Sequence, residues 1–298
     1  MMDKQGRRLS LMEGIAAGFL FGTAAIFIRM LDSVDAMAIV FWRLLIASAL
    51  LLIALSITRR RFSMNLRWDN LKHFLILGGL LGLHFVLFVS AVRETTILNA
   101  TVLVNTTPIF SLIISVTIYR IKPHRIAVLG VVLSLIGTCT ITVGGVQGGG
   151  AANLTGDVKA TLAALAEGFY LNYGRERRKK LHILPTMLLI YLVATLSVVI
   201  AGSLVGANLT DGLSGNTILP ILGLGVLPTA LAHTLFFSSL SHLKSFETAA
   251  MALLEPVSAT LLGIVLFAET PTVVIALGAM VTLIGVFVVA MEKKQDDD

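Results

Sequence analysis

Apolar residues in this chain come in runs of about twenty, separated by short polar or basic stretches. Ten such runs cover 11–31, 36–57, 71–92, 97–119, 125–144, 157–174, 184–205, 217–240, 246–268 and 272–291. About twenty helical residues at roughly 1.5 Å each cross a bilayer core of about 30 Å. The alternating pattern of a transmembrane barrel is absent. The pattern predicts an all-α integral membrane protein of ten transmembrane helices. Composition agrees. Apolar residues make up 56% and charged residues 13%, against about 25% charged in an ordinary soluble domain. With a mean hydropathy of +0.90, the chain has too little polar surface to cover a globule in water.

Charge adds orientation. The 23 Lys and Arg residues lie in short blocks between apolar runs, so the net charge of +6 does not point to nucleic acid. With the N-terminus placed in the cytoplasm, nineteen of them fall inside, including Arg7, Arg8, Arg59–Arg61, Arg175, Arg177 and Arg178. Arg29 and Arg93 fall outside, Lys159 lies at an outer helix end, and Arg43 lies within a span. The excess predicts both termini in the cytoplasm of a multi-pass plasma (inner) membrane protein. The first run is too long for a signal peptide and lacks a clear cleavage site, so it is expected to stay as a span. The single cysteine, Cys139, forms no intrachain disulfide.

Five runs precede the loop near Gly148-Gly149-Gly150 and five follow it. A five-span unit ends on the side opposite its start, so repeated halves must be inverted. Pro108 and Pro256 are 148 positions apart, as are Pro123 and Pro271, Gly130 and Gly278, and Gly137 and Gly285. The division is expected at 1–147 and 148–298, giving two inverted five-helix repeats. Inverted repeats with Gly/Pro-interrupted helices at matching places are a pattern of secondary transporters, whose sites lie near the bilayer midplane.

Polar groups inside such spans are costly and usually face a cavity or a partner. Glu255 sits about ten residues into the ninth run, directly before Pro256. Pro256 cannot donate to the Ala252 carbonyl, so a kink with a carboxylate beside a free carbonyl is expected. That notch suits a cation, an ammonium group or a proton; the bland alternative is a protonated Glu255 that holds helices together. Glu167 is the other deep acid, with Tyr170 one turn on and Asn172 beyond it. They offer either a cavity wall or a helix contact. Arg43 is expected in a structural ion pair ahead of substrate contact. His84 and His233 are expected as hydrogen-bonded histidines ahead of titrating ones. The fourth run carries Asn99, Asn105 and Thr107; at the repeat offset Asn99 matches Glu247 and Thr107 matches Glu255. Glu247 and Glu269 are expected at helix ends. Gly14, Gly18 and Gly22, and Gly78 and Gly82, mark close helix packing.

The stretches Leu254-Glu255-Pro256-Val257, Phe267-Ala268-Glu269 and Leu283-Ile284-Gly285-Val286 resemble the second repeat signature of the EamA-type drug/metabolite transporters. Asn105-Thr106-Thr107-Pro108-Ile109, Gly130 through Gly137, and Phe41-Trp42-Arg43-Leu44 are similar to other recurring parts. Ile121 stands where the first half would carry an acid matching Glu269. The resemblance covers nearly the whole chain. It implies ten helices, alternating access and a small-metabolite cargo, amino acids or related compounds or drugs, with export as the expected direction. Proton coupling and facilitated diffusion both stay open, as does oligomeric state. No cofactor, metal or nucleic acid is expected. A phosphate-bearing or nucleotide-sugar substrate ranks lower, since only Arg43 and Lys159 supply deep cations. An intramembrane enzyme ranks lower still, for want of a metal motif or paired aspartates.

Overall fold

The computed structural model describes residues 2–58, 68–95, 97–144, 153–178, 181–267 and 270–291, and these are helical with short connections. Glu269, the glycine-rich loop at 148–150 and the basic stretch 59–61 lie outside the described residues. Ten spanning units follow one another: α1 (Met2–Phe21, continued by Thr23–Arg29), α2 (Ala36–Ile57), α3 (Trp68–Glu94), α4 (Ile97–Val104 and Thr107–Thr117) and α5 (Arg125–Gly144). The second five are α6 (Leu154–Arg178), α7 (Ile183–Val205), α8 (Gly215–Leu224, Gly225–His233 and Thr234–Ser239), α9 (Ser245–Ala252 and Glu255–Phe267) and α10 (Val273–Ala290).

Nine of the ten are long and apolar enough to cross a membrane. The exception is α6, which was expected among the apolar runs. It carries Asp157, Lys159 and Glu167, ends in Arg175, Arg177 and Arg178, and packs along α3 and both halves of α4. Polar side chains are tolerable there because neighbouring helices, rather than lipid, supply their partners.

The halves are arranged as mates. Where α6 packs on α3 and α4, its counterpart α1 packs on α8 and α9. Three mate pairs touch directly, α2 with α7, α4 with α9 and α5 with α10. The contact of α5 with α10 is reciprocal. A Cβ on Gly130 would stand 2.8 Å from the Gly285 carbonyl oxygen, and one on Gly285 would stand 2.7 Å from that of Gly130. Gly137 and Gly278 show the same pair of approaches, at 2.6 and 2.8 Å. Residue i meeting j' while j meets i' is what a two-fold relation produces. Without side chains at these points the two backbones come into direct contact. Ser134 and Thr282, also one offset apart, each return a hydroxyl to their own helix, at Gly130 and Gly278.

The remaining core follows from long apolar stripes. Phe74, Leu77, Leu81 and Phe85 of α3 pack with Tyr191, Ala194 and Val198 of α7 and with Leu44 and Ala47 of α2. Leu83, Leu129, Leu196, Leu219, Val265 and Phe287 stay exposed. In a chain of these spans such residues face lipid, which is as apolar as the protein interior.

Candidate functional site

Two helices are interrupted at equivalent places. The first half of α4 stops at Val104 and the second starts at Thr107; α9 stops at Ala252 and restarts at Glu255. Each boundary is displaced by the same 148 positions. In both, proline is the second residue of the new half-helix, Pro108 and Pro256. There its missing N–H is one of the four that a helix start leaves unpaired. The expected kink takes the form of a tightened turn, with Thr106 and Leu253 still in the right-handed helical region. It puts Glu255 in the first turn of a half-helix, where the dipole favours a negative charge.

These breaks line a cavity with about 570 Å³ of atom-free space, its open mouth included. Its polar wall comes from Arg43 of α2, His84 of α3, Asn105 and Thr107 of α4, Glu167 of α6, His233 of α8 and Glu255 of α9. Phe21, Phe85 and Phe88 are among its apolar walls. Thr107 Oγ1 lies 3.1 Å from the Glu167 carboxylate and shares its one hydrogen between it and the Val104 carbonyl oxygen at 2.8 Å, and His84 Nδ1 is 3.8 Å from the same carboxylate. His84 Nδ1 also lies 3.0 Å from the Ala163 carbonyl oxygen, which can only accept. That contact places the proton on Nδ1. Glu255 is within electrostatic reach of both Glu167 and Arg43.

Two groups on this wall depart from expectation. Arg43 makes no ion pair among the described residues. Its Nε donates to Thr229 Oγ1 at 2.9 Å, and its guanidinium lies 4.1 Å from the Phe85 ring centroid. His233 was expected to be hydrogen-bonded, but its Nδ1 is buried without a partner among the described residues. Aromatic rings surround it instead, with Phe21 at 4.7 Å and Phe85 at 4.9 Å between centroids. Asn105 Nδ2 is likewise buried and unpaired.

Three of the expected site residues lie away from the cavity. Tyr170 is buried against Phe237, with its hydroxyl toward the Met187 sulfur. Asn172 ties α6 to α4 through Ser111 and Ser115. Asn99 bonds to Asp157 at the opposite end of α4. Lys159 pairs with Glu94, outside the cavity. Glu247 takes the expected place in the first turn of α9 and adds an ion pair to Arg7 at 2.7 Å. Thr229 and Tyr191, which the sequence reading passed over, meet at the back of Arg43. The available signal was Pro228, a proline inside an apolar run.

Ten spans, mated halves and a central cavity at paired helix breaks define a polytopic membrane transporter. The comparisons name the family. The model of the EamA-like transporter family matches residues 9–143 and again 154–291. The chain belongs to that family and carries its domain twice. It is 28% identical over 253 residues to the uncharacterized transporter YdfC of Bacillus subtilis (strain 168), covering 82% of this chain and 78% of that protein. An uncharacterized transporter of Archaeoglobus fulgidus is 24% identical over 274 residues, covering 91% and 93%. A solved crystal structure, 18% identical, superposes with a TM-score of 0.79 over 94% of this chain and 96% of its own. It supports the fold alone.

Proposed function

We propose that this protein is a secondary carrier that moves small ammonium-bearing metabolites, amino acids or related compounds, across the plasma (inner) membrane by alternating access, in the direction of export. The observation that carries the reading is the convergence of Glu167 and Glu255 on one cavity. They come from two different helices of the second half, α6 and α9, and stand among partners that neutralise them only in part. Glu167 is held by Thr107, whereas Glu255 has no hydrogen bond to a described residue. A carboxylate on a membrane-protein cavity wall without a donor attracts a cation or a proton. An ammonium group seated between the two acids supplies what the cavity lacks.

Alternating access is supported by the mated halves, since one arrangement exchanged between halves generates the opposite-facing state. The placement of both termini in the cytoplasm rests on nineteen of 23 basic residues falling on that side. A phosphate-bearing substrate is disfavoured, because of the two deep cations only Arg43 lines the cavity.

Proteoliposomes loaded with unlabelled amino acids and cationic drugs test the reading by counterflow of labelled substrate. Saturable counterflow is expected. Glu255→Gln is expected to lower it about tenfold or more, the equivalent of at least ~1.4 kcal/mol of charge-assisted binding, in a protein that still extracts as a monodisperse species. Flux in Glu255→Gln equal to the parent across pH 5–8 removes Glu255 from the site. Flux that grows with an imposed pH gradient assigns proton coupling, and flux indifferent to it assigns facilitated diffusion.

A further inference from the structure

We propose that Arg43 is the anion-recognising group of the cavity and that Thr229, presented by a π-helical turn of α8, positions it, so that the transported molecule carries a carboxylate beside its ammonium group. The proposal rests on the carrier reading above and adds the second pole of the substrate.

The argument starts at Pro228-Thr229. Pro228 has no N–H, so the Leu224 carbonyl four residues back loses its usual donor. The helix widens here into a π segment, Gly225–His233, a deviation frequent at functional sites. The π turn gives the Leu224 carbonyl a donor five residues on, and the Thr229 hydroxyl bonds to the same oxygen at 2.6 Å. A hydroxyl has one hydrogen. With that hydrogen committed to Leu224, the oxygen presents only lone pairs to Arg43, and Nε donates to it at 2.9 Å. Tyr191 of α7 steadies the turn from behind, donating to the Thr229 carbonyl at 2.8 Å. Thr229 and Tyr191 are both fully buried, and Arg43 is 3% exposed.

Arg43 is thus fixed at Nε by Thr229 and on one face by Phe85. Its two Nη groups have no hydrogen bond to a described residue, although the side chain lines the cavity. Asn105 Nδ2 on the same wall is a buried donor without an acceptor among the described residues. Leaving such groups unmet is costly. A guanidinium held at Nε offers its planar Nη edge, the geometry that takes a carboxylate in two parallel hydrogen bonds. A bare amine would satisfy Glu167 and Glu255 and leave Arg43 and Asn105 unmet. A zwitterion meets both poles.

Matched probes separate these cases: leucine against isoamylamine, phenylalanine against phenethylamine, and lysine against cadaverine, each as substrate or competitor in counterflow. Amino acids are expected to compete about tenfold or more better than the matching amines, as a site with committed donors rejects an analogue lacking the acceptor. Thr229→Ala is expected to raise KM for the amino acid about tenfold with Vmax held, and Thr229→Ser to restore it, because serine keeps the hydroxyl. Arg43→Lys, which keeps the charge but loses the fork, is expected to raise KM similarly and stands in if Thr229→Ala is not monodisperse after extraction. Amines that compete as well as amino acids, or a KM unmoved by both variants, overturn the proposal. If amine flux then still depends on Glu255, the carrier reading survives alone. Counterflow of no probe of either kind overturns both.

Discussion

The two halves share a scaffold and differ in the chemistry placed on it. At the equivalent helix breaks the first half presents Thr107 and the second Glu255. In the equivalent helices α3 and α8, the first is one uninterrupted helix and the second contains the π segment. At the contact of α5 with α10 the halves stay alike, glycine against glycine, with Ser134 against Gly285 and Thr282 against Gly137. The likeness lies where backbones must touch, and the difference lies where the cavity is lined. A duplicated fold can thus keep the geometry needed to exchange two conformations while making one binding site that is not symmetric. Thr107, the neutral member of its pair, reaches Glu167 across the cavity wall, so the first half steadies one of the two acids that the second half supplies.

The largest stability effect is expected at one end of the bundle. Glu247 is buried, accepts the Lys244 backbone N–H at 2.5 Å and pairs with the less deeply buried Arg7. Arg7→Ala removes that ion pair and is expected to cost about 3 kcal/mol, the low end for breaking a buried pair, read as a lower melting temperature in detergent. Its counterpart in the other half, Asn99 with Asp157, has one charge only. An equal loss in Asn99→Ala would break the comparison. Next come Gly137→Ala and Gly285→Ala. Each added methyl would stand 2.3 Å from a backbone nitrogen of the facing helix, Thr282 and Ser134 respectively. Both are expected to destabilise by ~1–3 kcal/mol and by similar amounts. A large difference between them would show that the two-fold relation is not shared energetically. The smallest effect is expected for Thr107→Val. It removes one hydrogen bond to Glu167, about 1 kcal/mol, and should weaken substrate affinity roughly fivefold without lowering the melting temperature. A loss as large as that of Glu255→Gln would place the two breaks on an equal footing.

Much of this was legible along the chain. The spans, the mated prolines and the glycine pairs follow from residue type and spacing, and Pro108 and Pro256 marked both interruptions. A proline alone predicts a kink, and the structure adds that the two residues before it, Asn105-Thr106 and Leu253-Leu254, form a tighter turn than the α-helix. Tyr170 and Asn172 were drawn to the site by nearness to Glu167 in sequence. Neighbours on a helix surface need not share a wall, and both instead meet other helices as packing groups. Thr229 was passed over because a threonine in an apolar run carries no signal until the arginine of another helix reaches it.

The sequence by itself determined a ten-span helical membrane protein, its duplicated halves and the two places where helices break. Each of these is a local property, set by run length, by glycine at close contacts and by the missing N–H of proline. Only the tertiary structure decided which polar groups share the cavity: Arg43, His84, Asn105, Glu167, His233 and Glu255 come from six different spans. In a helix that is apolar on nearly every face, hydropathy does not distinguish the side that meets lipid from the side that meets protein. The face each polar residue turns to is therefore set by packing between helices.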